Sequence, residues 1–167
     1  AKPLAVVVLC AAVWAVGGCR GGLRAGIARP APGGICDTVT AARGMVVSVS
    51  APASRAGRDV LLEGGDAVDA AVATAFALAV TFPEAGNIGG GGFMVIRTAG
   101  GKVTTIDGRE ESPATMTPTS FWENGAPLPF DDARFSGISA GIPGTLATWQ
   151  MALQRYGTWS LGHALQP

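Results

Sequence analysis

From residue 44 onwards the sequence predicts an α/β fold. Three observations carry that prediction. Ala67 to Val80 reads AVDAAVATAFALAV, apolar nearly all round, as a buried helix requires. Residues 93–97 (FMVIR) and 102–106 (KVTTI) are β-rich runs joined through Gly100-Gly101, the pattern of a hairpin. Leu146, Trp149, Leu153 and Tyr156 recur at spacings of 3, 4 and 3, which places them on one helix face.

The elements follow in order. Met45 to Val49 (MVVSV) predicts a short strand. Ser54 is a candidate cap for a helix through Arg55, Asp59 and Leu62, and Gly64-Gly65 stops it. Asp66 caps the apolar helix 67–80. Asp107 to Pro113 leaves the hairpin as a loop. Pro118 to Arg134 reads as irregular, with prolines at 127 and 129 and the apolar pair Phe121-Trp122. A helix follows Gly144 and stops at Gly157. Ser160 opens a further helical pattern that is incomplete at Pro167, so the sequence is expected to continue.

Composition narrows the function classes. Of 167 residues, 48% are hydrophobic and 14% charged, and the mean hydropathy is +0.34, which excludes disorder along the whole length. The zero net charge hides an asymmetry, because seven basic and eleven acidic residues lie after residue 43. The foldable part is therefore mildly acidic, and nucleic acid is not expected as a partner.

The first 43 residues read as address and tether. Leu4 to Val16 (LAVVVLCAAVWAV) is an uncharged run of thirteen residues. It is shorter than the ~20 that a bilayer span needs, and it fits the apolar core of an export signal. Residue 1 is not methionine, so an earlier start is expected. Val16-Gly17-Gly18-Cys19 resembles the lipobox of bacterial lipoproteins, in which the cysteine carries the lipid. Residues 1–18 are thus expected to be a signal peptide, Cys19 a lipidation site, and residues 19–43 a Gly/Pro/Ala/Arg-rich flexible tether. The expected location is exported: periplasmic, extracellular or anchored to a membrane by lipid. No cysteine follows Cys36, so neither a disulfide framework nor a cysteine metal site is expected in the folded part.

Several motifs fail on context. Gly89 to Gly92 precede a strand, whereas a phosphate loop follows one and ends in Gly-Lys-Ser/Thr. These glycines are better explained by close backbone packing. Gly137-Ile-Ser-Ala-Gly141 matches the G-x-S-x-G elbow of α/β-hydrolases. However, no Asp or Glu lies between Ser139 and His163, the single histidine, and the preceding segment is a poor strand. Asp107, Glu110 and Glu111 are close in sequence, but Arg109 among them disfavours a cation. No metal or other cofactor is expected. Arg109 itself leaves a strand in a loop with Gly108 and Pro113. Its planar guanidinium can grip a carboxylate through two parallel hydrogen bonds. The alternative is a surface arginine paired with Glu110 or Glu111.

Three stretches together bear on that choice: Asn87-Ile-Gly-Gly-Gly-Gly-Phe-Met94, Asp107-Gly-Arg-Glu-Glu-Ser-Pro-Ala114 and Gly141-Ile-Pro-Gly-Thr-Leu146. In this order and spacing they resemble the N-terminal part of bacterial γ-glutamyltranspeptidases. Glu63-Gly-Gly-Asp-Ala-Val-Asp-Ala70 and Tyr156-Gly-Thr158 resemble the same family. The resemblance covers residues 44–167. It implies an N-terminal nucleophile hydrolase fold, an αββα sandwich that is incomplete here, and a precursor that cuts itself before a threonine. This chain would be the front of the large subunit, with the small subunit of the same precursor as partner. γ-Glutamyl compounds such as glutathione would be the substrates. Arg109 matches the family arginine that binds the α-carboxylate of the γ-glutamyl group. Gly108 stands where some relatives carry a larger residue. No catalytic residue is assigned within this chain. Thr104-Thr105 lies in a predicted strand, Thr145 matches a turn before a helix, and the nucleophilic threonine is expected beyond Pro167. Two other readings stay open. One is an acylase of the same superfamily, because fold alone does not set the substrate. The other is a non-catalytic exported lipoprotein that keeps the scaffold for binding.

Overall fold

A computed structural model describes residues 39–85 and 87–166. The expected signal peptide (1–18), Cys19 and nearly all of the tether lie outside the described residues.

Helix α1 spans Ala51–Leu62. It starts a turn earlier than expected. Ser50, not Ser54, holds the N-cap position, because Pro52 fits the first helical turn with its fixed φ. The Ser54 hydroxyl instead shares a 2.7 Å hydrogen bond with that of Ser48. Gly64, at φ +95°, ends the helix as expected. Helix α2 spans Ala67–Thr81 and carries a full capping box. The Asp66 carboxylate accepts from the amides of Val68 (2.7 Å) and Asp69 (3.0 Å), while the Asp69 carboxylate accepts from the amide of Asp66 (2.8 Å). The front half of α2 is buried, but Val80 near its end is exposed.

The expected hairpin is present. Strand β1 (Gly92–Arg97) pairs antiparallel with β2 (Val103–Gly108), with Met94 opposite Ile106 and Gly92 opposite Gly108. The turn closes through Gly101, at φ +86°. Residues 45–49, in contrast, form no strand. They alternate in exposure as a strand would, with Val46 half-buried and Val47 and Val49 exposed. A strand is defined by ladder hydrogen bonds, and no described strand pairs with this run.

The segment expected to be irregular contains a second hairpin. Strands β3 (Trp122–Glu123) and β4 (Ala126–Pro127) flank Asn124-Gly125, both at positive φ. Asn-Gly is a strong hairpin turn, and here it overrides the nearby prolines. A short helix α3 (Phe130–Arg134) and a 3₁₀ turn (Gly137–Ser139) follow. Helix α4 runs Thr145–Tyr156, and Ser160 caps the four-residue α5, Leu161–Ala164. The buried face of α4 is Thr145, Thr148, Trp149, Ala152 and Leu153. Leu146 was expected on this face and is exposed. The stripe follows the helical period more closely from Thr145 and Thr148 to Trp149 and Ala152 than the apolar residues alone indicate.

Two clusters form the interior. Val68 and Val72 of α2, Met94, Ile96 and Ile106 of the hairpin, and Trp149, Ala152 and Leu153 of α4 make the larger one. The Phe76 and Trp149 rings meet edge to face at 4.4 Å. In the smaller one, Val60 of α1 packs against Ala70 and Ala73 of α2. Small side chains let α1 and α2 approach closely: a methyl at Gly57 would sit 2.9 Å from the Ala70 carbonyl oxygen. The hairpin thus rests one face on α2 and α4, and its opposite face exposes Phe93, Val95 and Val103.

Candidate functional site

The site begins at the end of β2. Gly108 is the last ladder residue, and Arg109 is the first beyond it. The Asp107 carboxylate turns back to accept the Arg109 amide at 3.0 Å, an Asx-type turn that sets the exit angle. Two residues on, Glu111 and Ile142 exchange backbone hydrogen bonds of 3.3 and 2.8 Å. The loop 109–110 is therefore held at one end by the Asp107 carboxylate and at the other by backbone pairing.

Glycines press against this loop from two sides. The Gly90 carbonyl accepts the amides of Gly144 (3.1 Å) and Thr145 (3.2 Å), joining the tetraglycine segment to the start of α4. A methyl at Gly91 would come 2.8 Å from the Glu110 amide nitrogen. A methyl at Gly144 would overlap the Gly108 carbonyl and lie 3.0 Å from that of Arg109. Only glycine allows such backbone-to-backbone approach. The three segments 89–92, 107–111 and 141–145 thus converge on one backbone knot, with Arg109 at its surface.

The Arg109 side chain is exposed. Among the described residues the ion pairs are Arg58–Asp59 and Arg134–Asp131, so neither Glu110 nor Glu111 pairs with Arg109. A rigidly based guanidinium without an internal carboxylate can present its fork to a carboxylate from outside. An open groove of about 230 Å³, lined from Glu110 onwards and not by Arg109, runs between Glu110–Pro113 and Ile138–Gly141. Thr104 and Thr105 sit in the β2 ladder opposite Ile96 and Val95. Thr145 is buried at the start of α4. The Ser139 hydroxyl donates to the carbonyls of Arg134 (2.9 Å) and Ser136 (2.8 Å) within a 3₁₀ turn, and no strand leads into it. The His163 ring stacks on Trp159 at 3.8 Å.

A second junction was not expected. Asp69 is fully buried, and its carboxylate accepts from the Thr158 amide (3.0 Å), the Thr158 hydroxyl (2.6 Å) and the Trp159 amide (3.0 Å). With the Asp66 amide added, one carboxylate satisfies four donors and ties the front of α2 to the segment behind α4. A charge inside an otherwise apolar helix, three residues after another aspartate, was the available signal. Next to it, Asp66 has its carboxyl raised above the ordinary value, chiefly by burial, with the neighbouring Asp69 charge contributing and backbone hydrogen bonds opposing.

These elements and their packing are those of the N-terminal nucleophile hydrolases. The chain overlays the crystal structure of Helicobacter pylori gamma-glutamyltranspeptidase with a TM-score of 0.72 and 42% identity, over 78% of this chain and 38% of that one. The sequence model of the gamma-glutamyltranspeptidase family matches residues 53–167, and the chain belongs to that family. It is 49% identical over 129 residues to the glutathione hydrolase proenzyme of Escherichia coli, covering 77% of this chain and 22% of that protein. It is also 40% identical over 134 residues to an acylase proenzyme of a Pseudomonas species, covering 77% of this chain and 24% of that protein. The chain therefore spans about a quarter or less of the length of these curated relatives.

Proposed function

We propose that this chain is the front of the large subunit of a self-cleaving γ-glutamyltransferase, a glutathione hydrolase. The observation that carries the reading is Arg109: an exposed guanidinium on an immobilised loop, in the segment that matches the family. In this reading Arg109 binds the α-carboxylate of the γ-glutamyl group through paired hydrogen bonds. The nucleophile is a threonine beyond Pro167, freed when the precursor cuts itself. Its hydroxyl oxygen bonds to the γ-carbonyl carbon while its own α-amine takes the hydroxyl proton. Donors of an oxyanion hole, supplied by the small subunit, stabilise the tetrahedral intermediate. The amide C–N bond then breaks, the amine leaves with that proton, and a γ-glutamyl ester remains. Water or the amine of an amino acid or peptide takes the glutamyl group and restores the threonine. No cofactor takes part.

The same proposal places the protein outside the cytoplasm. Residues 1–18 are the export signal, Cys19 carries a lipid that anchors the protein to a membrane, and 19–43 is the tether to a folded part that begins at residue 44. What supports this is the apolar run Leu4–Val16 followed by Gly-Gly-Cys.

The test is to read the gene past the codon for Pro167 and express the complete precursor. The expected result is two chains after maturation, the smaller starting with threonine, and release of glutamate from glutathione. An uncut chain that leaves glutathione intact would overturn the reading. The similarity to an acylase proenzyme supports a second reading, hydrolysis of another amide by the same machinery. Cleavage into two chains with turnover of acyl amides but not of γ-glutamyl amides would favour it.

A further inference from the structure

We propose that Thr148 is a positioning residue for Arg109, acting through its contact with Gly108. The inference rests on the carboxylate-binding reading of Arg109 above. Gly108 is buried and directly precedes Arg109. A methyl group built on Gly108 would overlap Thr148 Oγ1 and lie 2.8 Å from Thr148 Cβ. Thr148 is 5% exposed and sits one turn into α4. Its amide donates to the Gly144 carbonyl at 3.0 Å, and Gly144 in turn abuts the Gly108 and Arg109 carbonyls.

The side chain of Thr148 therefore fills the room that a side chain at position 108 would take. It is a β-branched group on a packed helix, with few rotamers open to it, so it cannot swing aside cheaply. The backbone at Gly108 rests directly on it. The ladder partner narrows the same space, since the methyl would also lie 3.2 Å from the Gly92 carbonyl oxygen. Displacing Gly108 moves the base of the Arg109 side chain by the same amount. A fork that grips a carboxylate through two hydrogen bonds tolerates little displacement. Residues 108 and 148 thus form a size-matched pair: glycine at 108 is required because 148 carries a threonine.

The experiment is a double-mutant cycle in the complete precursor: Gly108→Ala, Thr148→Gly and the pair together. Self-cleavage, thermal midpoint, and KM and kcat for a γ-glutamyl amide are read for each. Gly108→Ala is expected to raise KM about tenfold with a smaller change in kcat, and the pair to return KM to within about threefold of the wild type. If Gly108→Ala does not mature at all, recovery of self-cleavage in the double variant supports the pairing. A double variant no better than Gly108→Ala overturns it, and so does a Gly108→Ala protein with unchanged KM and midpoint. Arg109→Ala is measured alongside. If its KM equals that of the wild type, the carboxylate reading fails by itself, and the thermal midpoints still report whether 108 and 148 are coupled.

Discussion

At the scale of single residues, Asp69 carries more structure than any other polar side chain described. Its carboxylate serves the amides of Asp66, Thr158 and Trp159 and the hydroxyl of Thr158, with no exposure to water. Removing it leaves the amides of Asp66, Thr158 and Trp159, in a part-buried junction, without their partner, each costing up to about 1–3 kcal/mol. Asp69→Ala is expected to destabilise the protein by about 3 kcal/mol or more, measured by denaturant unfolding. Thr158→Val removes one donor and leaves the amides paired, so its expected cost is about 1 kcal/mol. Equal effects of the two substitutions would mean that the carboxylate is not the hub. Spacing alone suggested that Asp66 caps a helix, and it does. The reach of Asp69 to residues 158 and 159 was not readable, because a contact between residues some ninety positions apart leaves no local pattern.

At the scale of elements, the front of α2 has a defined pH response. Burial holds the Asp66 carboxyl above its ordinary value, and the Asp69 charge beside it adds to this. The folded state therefore binds the Asp66 proton more tightly than the unfolded state. The stability this contributes is present in full below the unfolded pKa of about 3.9 and is lost as pH rises through the raised folded value. Asn at 66 can still accept the capping hydrogen bonds but does not titrate. Wild-type thermal midpoints are thus expected to gain on those of Asp66→Asn as pH falls from neutral towards about 4. A constant difference across that range would contradict the account. The elements that sequence reading recovered, α1 apart from its first turn, α2, the β1–β2 hairpin, α4 and α5, all have strong local signals in capping residues, periodicity and turn glycines. Residues 45–49 read as a strand from β-propensity, but pairing is non-local, and propensity cannot supply a partner. The prolines at 127 and 129 read as irregular chain, whereas the β3–β4 turn is set by Asn124-Gly125 at positive φ.

At the scale of the whole molecule, the hairpin exposes Phe93, Val95 and Val103 on one face while Met94, Ile96 and Ile106 face the helices. That outer face also carries Arg97, Thr105 and Asp107, and its exposed apolar residues still favour a covering layer. In the proposed precursor the second sheet of the sandwich covers the outer face. Val95→Asp, which sets a charge at the centre of that face, is expected to prevent self-cleavage of the complete precursor. Normal maturation of that variant would mean that the face stays in water. The stretches that carried the family resemblance were separate in sequence and are joined in space. Residues 89–92, 107–111 and 141–145 form the knot beneath Arg109, and Asp69 meets Thr158 at the other end of α4. Sequence reading found Arg109 through its match to the family. It did not find Thr148, because a threonine on a helix carries no signal until its neighbour is known to be a buried glycine.

In the proposed enzyme Arg109 receives the α-carboxylate of a γ-glutamyl donor. This role is tested most directly by one kinetic comparison in the complete, matured enzyme. KM is measured for wild type and Arg109→Ala on a γ-glutamyl amide and on the same amide lacking the α-carboxylate. Loss of one partner of a close charge pair costs about 2–5 kcal/mol, so KM for the intact donor is expected to rise at least about thirtyfold. For the donor without the carboxylate the two enzymes are expected to agree within about twofold, since the arginine has nothing to grip. An equal rise on both donors, or no rise on either, would contradict the assignment of Arg109.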